Sequence, residues 1–108
     1  MHLHLGDWEQ AEQLARHALS LLTDREDYLH EIAPTQLVLG RALMEQNKLE
    51  EAEQWLPTSD SSAERLESIG HRAAAWIALG DLETRRNNQP EAAVLYRRAA
   101  EALQDVRF

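Results

Sequence analysis

Three stretches of this sequence are versions of one another. Gly6-Asp7-Trp8-Glu9-Gln10-Ala11, Asn47-Lys48-Leu49-Glu50-Glu51-Ala52 and Asn87-Asn88-Gln89-Pro90-Glu91-Ala92 each run from a turn-forming residue through an acidic one to an alanine. The alanines lie 41 and 40 residues apart, and the pairs Leu39-Gly40 and Leu79-Gly80 are again separated by 40. Two independent markers with one period indicate supersecondary units stacked side by side, each too small to bury its apolar face alone.

The units are helical. Ala, Leu, Glu, Gln and Arg dominate and β-branched residues are few, which favours helix over strand. A Gly or Asn at each turn can end a helix in the left-handed conformation, and an acidic residue then sits in the first turn of the next, where the helix dipole favours it. The expected helices are Asp7 to about Asp24, Asp27 to Gln46, Leu49 to about Leu66 with a break near Pro57, His71 to Arg86, and Pro90 to Val106. Pro34 is a second doubtful point, the serines at 59, 61, 62 and 68 read as loop and cap residues, and Gly70 is expected to cap the segment before it. The alanines and the helical glycines are small because neighbouring helices cross closely there. The whole is one all-α domain over 1–108, with a partial first repeat at 1–26, a second at 27–68 and a third at 69–108.

Trp76-x2-Leu79-Gly80 followed by Ala92, Tyr96 and Ala99 resembles the signature of the tetratricopeptide repeat family, and Leu39-Gly40, Ala52 and Leu56 form a weaker second copy. The resemblance implies antiparallel helix pairs in a short right-handed solenoid. The sequence departs from it in a period near 40, against about 34 in the commonest form, and in Gln36, which stands where an aromatic residue is usual. The resemblance also implies a protein- or peptide-interaction module in which the first helix of each repeat lines a groove. Helical spacing puts Leu37, Arg41, Met44 and Glu45 on one such stripe and Ile77, Asp81, Thr84 and Arg85 on the matching one, the candidate partner-binding residues. Arg41 and Asp81 also have a plainer reading as a pair between adjacent helices. Chaperone-binding members of the family hold a terminal carboxylate with Lys and Asn on these stripes. Leu37, Arg41, Ile77 and Asp81 stand there in this chain, so that function is not expected.

The runs Gly40-Arg41-Ala42-Leu43, His71 to Trp76 through Gly80-Asp81, and Tyr96 to Leu103 look like the C-terminal repeats of bacterial helix-turn-helix transcriptional regulators. That likeness implies a sensing or dimerisation role beside a DNA-binding domain this chain does not contain. The rival reading is a structural scaffold that self-associates through open repeat ends, with the face of Ala11, Leu14, Ala15 and Ala18 lacking its partner helix. A homodimer is expected on either reading. Trp8 and Trp76 are expected in the core, and Trp55 is the candidate exposed anchor.

Other chemistry finds little support. His2, His4, His17, His30 and His71 show no paired ligand spacing, the four glycines form no phosphate loop, and no nucleophile-elbow pattern surrounds a serine. Neither an enzyme nor a cofactor is expected. A net charge of −8 disfavours binding to nucleic-acid phosphates. The absence of cysteine and of any long apolar run points to a cytoplasmic chain with no membrane partner.

Overall fold

The computed structural model describes residues 5–22 and 24–104. Among these residues five α-helices follow one another with no strand: α1 (Leu5–Leu22), α2 (Leu29–Glu45), α3 (Leu49–Arg65), α4 (Ile69–Arg85) and α5 (Gln89–Gln104), with a single 3-10 turn (Glu26–Tyr28) before α2. Each helix packs against the next, and α2 also touches α4. The architecture is therefore an all-α stack of helix pairs, as the repeats require. Helices α2 to α5 begin 20 residues apart, so the 40-residue sequence period is two equal helix-plus-turn steps.

The turns explain that regularity. Asn47, Glu67 and Asn87 all take the left-handed conformation, with φ of 64°, 58° and 62°. In each turn the following N–H reaches back to the last turn of the helix: Lys48 to the Leu43 carbonyl, Ser68 to Ala63 and Asn88 to Glu83, at 2.9, 3.0 and 2.8 Å. The left-handed residue itself donates to Met44, Glu64 or Thr84. This double bond pattern satisfies carbonyls that a helix end leaves free. The middle turn was hidden because glutamate occupies the left-handed position, so Gly70 does not cap α3 but is the second residue of α4. Ser68 is the N-cap of α4, its hydroxyl accepting from the His71 N–H at 3.2 Å. Gly6 likewise lies within α1 and does not form a turn.

Neither proline breaks its helix. Pro34 and Pro57 sit inside α2 and α3, where each removes one N–H that would have met the carbonyl of His30 or Glu53. Both of those residues are exposed, so water can satisfy the freed carbonyl. After each proline a threonine hydroxyl donates to the carbonyl four residues back, Thr35 to Glu31 at 2.7 Å and Thr58 to Gln54 at 2.8 Å. The expected serine loop is therefore the second half of α3. Ser59 and Ser62 are buried there, donating to the Ala33 carbonyl at 3.0 Å and to Gln36 Oε1 at 2.6 Å.

The main core joins α1, α2, α3 and α4 through Ala15, Leu39, Leu43, Met44, Leu56, Ala78 and Leu82, and a second cluster joins α4 to α5 around Trp76, Leu95 and Ala99. Two glycines permit this spacing. A Cβ built on Gly40 would lie 2.7 Å from Leu56 Cγ, and one on Gly80 would lie 2.6 Å from Tyr96 Cε1. His2, His4 and Val106 fall outside the described residues.

Candidate functional site

The two expected stripes meet along the contact between α2 and α4, and most of their polar groups face one another. Arg41 Nη1 lies 3.4 Å from Asp81 Oδ2, and Arg85 Nη2 donates to Glu45 Oε1 at 2.5 Å. Positions 41 and 81, like 45 and 85, are one repeat apart and carry opposite charges. Tyr96 on α5 joins the seam, its hydroxyl donating to Asp81 Oδ1 at 2.5 Å, which pushes the phenol above its ordinary pKa. Thr84 Oγ1 stands 3.3 Å from the same hydroxyl and donates to the Gly80 carbonyl. The plainer reading of Arg41 and Asp81 therefore describes their geometry. Met44 is fully buried in the core and is not a surface contact, while Leu37 and Ile77 are half-buried against the two clusters.

A second set of contacts locks consecutive repeats and repeats itself. Gln46, just past α2, donates from Nε2 to Glu12 Oε1 at 2.9 Å and lies 3.4 Å from the Trp8 carbonyl, both on α1. One repeat later Arg86, just past α4, donates to Glu53 Oε2 at 3.0 Å and reaches the Leu49 carbonyl at 3.4 Å, both on α3. Glu12 also receives Lys48 at 3.1 Å and Arg16 at 2.8 Å. Burial pushes its carboxyl up, but the hydrogen bonds from Arg16, Gln46 and Lys48 outweigh that and hold the pKa at about 2. The hydrogen bond from Arg86 holds Glu53 below its ordinary value in the same way.

Where α4 crosses α3, Asp60 accepts from Arg72 Nε at 2.9 Å and from Trp76 Nε1 at 3.2 Å. Arg72 and Arg98 each stand over the Trp76 ring, at 4.9 and 5.5 Å from its centroid. Trp76 is in the core as expected, and Trp8 is half-buried. Sequence reasoning passed over Glu12, Gln46, Asp60 and Arg86. Their signal was available in the 40- and 41-residue offsets of 46 to 86 and 12 to 53, which a search for chemical motifs does not use.

The most exposed large apolar side chains among the described residues lie on α1. Among the described residues helix α3 packs along both α2 and α4, whereas α1 packs along α2 and meets α3 only at its edge, where Arg16 Nη2 lies 3.6 Å from Glu51. Leu14 and Leu21 on α1 are each 65% exposed, and Val38 on α2 is 47% exposed. A shallow apolar groove of about 360 Å3 runs between Leu14 and Val38, lined also by Ala11, Ala15, Pro34 and Thr35. A smaller cleft, about 250 Å3, opens between α1, α2 and α3. Trp55 lines that cleft and packs on the core, so it is half-buried and does not project as a free anchor.

No described helix is long and apolar enough to cross a membrane. The tetratricopeptide repeat family model matches residues 1–17 and 33–56, the second segment running from α2 into α3. The matched segments support tetratricopeptide-type repeats, which serve as protein-interaction units, although they take in less than half of the chain. The third repeat, with Trp76, Leu79 and Gly80, lies outside them. No curated protein and no solved structure matches the chain.

Proposed function

We propose that this chain is a non-enzymatic protein-interaction module whose α1–α2 face takes a helix from a partner, a second copy of the chain being the simplest source. The observation that carries the reading is the unequal cover of equivalent helices. In α3 both sides are packed by helices, and among the described residues α1 leaves Leu14 exposed across a groove from Val38, with Leu21 exposed farther along the helix. A helix laid there would bury contiguous apolar surface that α1 and α2 leave in water, at roughly 25 cal/mol per Å2. An apolar patch rimmed by polar residues marks an interaction face. The Arg41–Asp81 and Glu45–Arg85 seam is a poorer candidate, because a peptide lying along it must replace ion pairs already made.

The likeness to the repeats of bacterial helix-turn-helix regulators supplies the context of this proposal, a sensing or dimerisation segment acting in the cytoplasm. A self-association scaffold without a ligand is the second reading, favoured by the same face. Light scattering tests the proposal: the parent chain forms a dimer whose population rises with concentration, and Leu14→Glu with Val38→Glu returns it to monomer. A parent that stays monomeric at millimolar concentration, or a dimer indifferent to both changes, refutes it. Reading the gene upstream for a DNA-binding domain separates the regulator from the scaffold.

A further inference from the structure

The repeat symmetry exposes a second, smaller feature. Position 36 is equivalent to position 76, one repeat apart. In the third repeat Trp76 fills the space between α3, α4 and α5, with only 7% of it exposed and its indole nitrogen bonded to Asp60. In the second repeat Gln36 stands at that position, and the corresponding space between α1, α2 and α3 is the cleft of about 250 Å3. Its walls are Leu19, Leu22, Ile32 and Trp55, and Gln36 and Ser62 lie at its base. Leu19 falls one repeat before Asp60, so the polar partner of the third repeat is replaced by apolar wall.

Gln36 is itself incompletely paired. Only 9% of it is exposed, and its Oε1 accepts the Ser62 hydroxyl at 2.6 Å. Its Nε2 has no hydrogen-bond acceptor among the described residues. Every fully buried side-chain nitrogen and oxygen described has a partner, so Nε2 keeps some contact with solvent, and Gln36 is a lining residue of the cleft. A donor beside apolar walls and without a protein acceptor is served by an acceptor brought in from outside.

We propose that this cleft takes the side chain of a tyrosine from a protein partner, supplying from outside the aromatic ring that the third repeat supplies from within. The inference rests on the protein-interaction reading above and adds an anchor to it. The volume is below the roughly 300–1,000 Å3 of small-molecule sites, which suits one side chain better than a whole ligand. An aromatic anchor in a pocket is the usual centre of a protein interface. A phenol oxygen can accept from Gln36 Nε2, whereas a phenyl ring cannot and an indole N–H only donates. At the mouth Arg65 is paired with Glu26 and Arg25 with Asp27, exposed ion pairs that contribute only about 0–1 kcal/mol each and so resist an entering side chain little.

The test uses p-cresol, toluene, 3-methylindole, N-acetyltyrosinamide and N-acetylphenylalaninamide, titrated into the full chain and followed by NMR at the Trp55 indole and the Gln36 side-chain amide. The expected result is that p-cresol and N-acetyltyrosinamide shift both groups and bind about tenfold more tightly than toluene and the phenylalanine analogue, a factor on the scale of one neutral hydrogen bond. In Gln36→Met, folded by circular dichroism, that preference disappears. Equal binding of toluene and p-cresol to the parent chain overturns the proposal without recourse to any variant. So does tighter binding of 3-methylindole, p-cresol binding without N-acetyltyrosinamide binding, or no shift with any probe. The cleft and the Leu14–Val38 groove share no lining residue, and the side-chain signals followed belong to the cleft, so failure here leaves self-association as a separate outcome.

Discussion

Replacing Glu12 with glutamine keeps the shape of the side chain and removes the charge at which Arg16, Gln46 and Lys48 converge. The folded carboxyl titrates at about 2, against an ordinary 4.5. Because its folded pKa is depressed, the stabilisation is complete above the unfolded value and is lost as pH falls through the folded one. The full shift would correspond to about 3 kcal/mol. Glu12 is only 13% exposed, but Arg16 and Lys48 are 41% and 46% exposed, so solvent screens the ion pairs. The remaining contribution is about 1–2 kcal/mol. Urea unfolding of the parent and Glu12→Gln should therefore differ by about 1–2 kcal/mol at pH 7, with the gap narrowing below pH 4.5 and nearly closed at pH 2. An equal gap at both pH values, or none at pH 7, refutes the role given to this carboxylate between α1 and α2.

The same alanine substitution at the two equivalent glycines should give different results. Gly40→Ala meets Leu56, which is fully buried, and loses about 1–3 kcal/mol on thermal unfolding, whereas Gly80→Ala meets the partly exposed Tyr96 ring and loses less because that ring can swing toward solvent, giving up only its exposed hydroxyl bond to Asp81. Ser62→Ala leaves Gln36 Oε1 buried without its donor and costs about 1–3 kcal/mol. Adding Gln36→Leu should recover most of that loss in a double-mutant cycle. Glu67→Gly relieves a left-handed glutamate at φ 58° and raises stability in denaturant titration by about 0.5–1 kcal/mol, the reverse of glycine's usual effect in a helix.

The helices were legible because the repeat carries its own punctuation. Asn47 and Asn87 mark two turns openly, and Ala52, Ala92, Gly40 and Gly80 mark the close crossings. The third turn was misplaced to Gly70 because its left-handed residue is Glu67, an identity with no turn preference. The prolines misled for a related reason: their cost depends on whether the freed carbonyl faces water, which the sequence does not state. The stripe residues were correctly paired as Arg41 with Asp81, yet Met44 was assigned outward when it belongs to the core. A helix in a stack buries two sides, so a single amphipathic face misjudges its flanks. The cleft could not be seen beforehand, since it depends on what Gln36 fails to fill beside a tryptophan on another helix.

Hydrogen exchange measured helix by helix at low and high protein concentration reads out whether the α1–α2 face is where a second copy docks. Amides of α1 and of α2 around Pro34 to Val38 are expected to exchange more slowly as concentration rises, while α4 and α5 are unchanged. Protection that grows on α4 and α5, or on no helix, would contradict it.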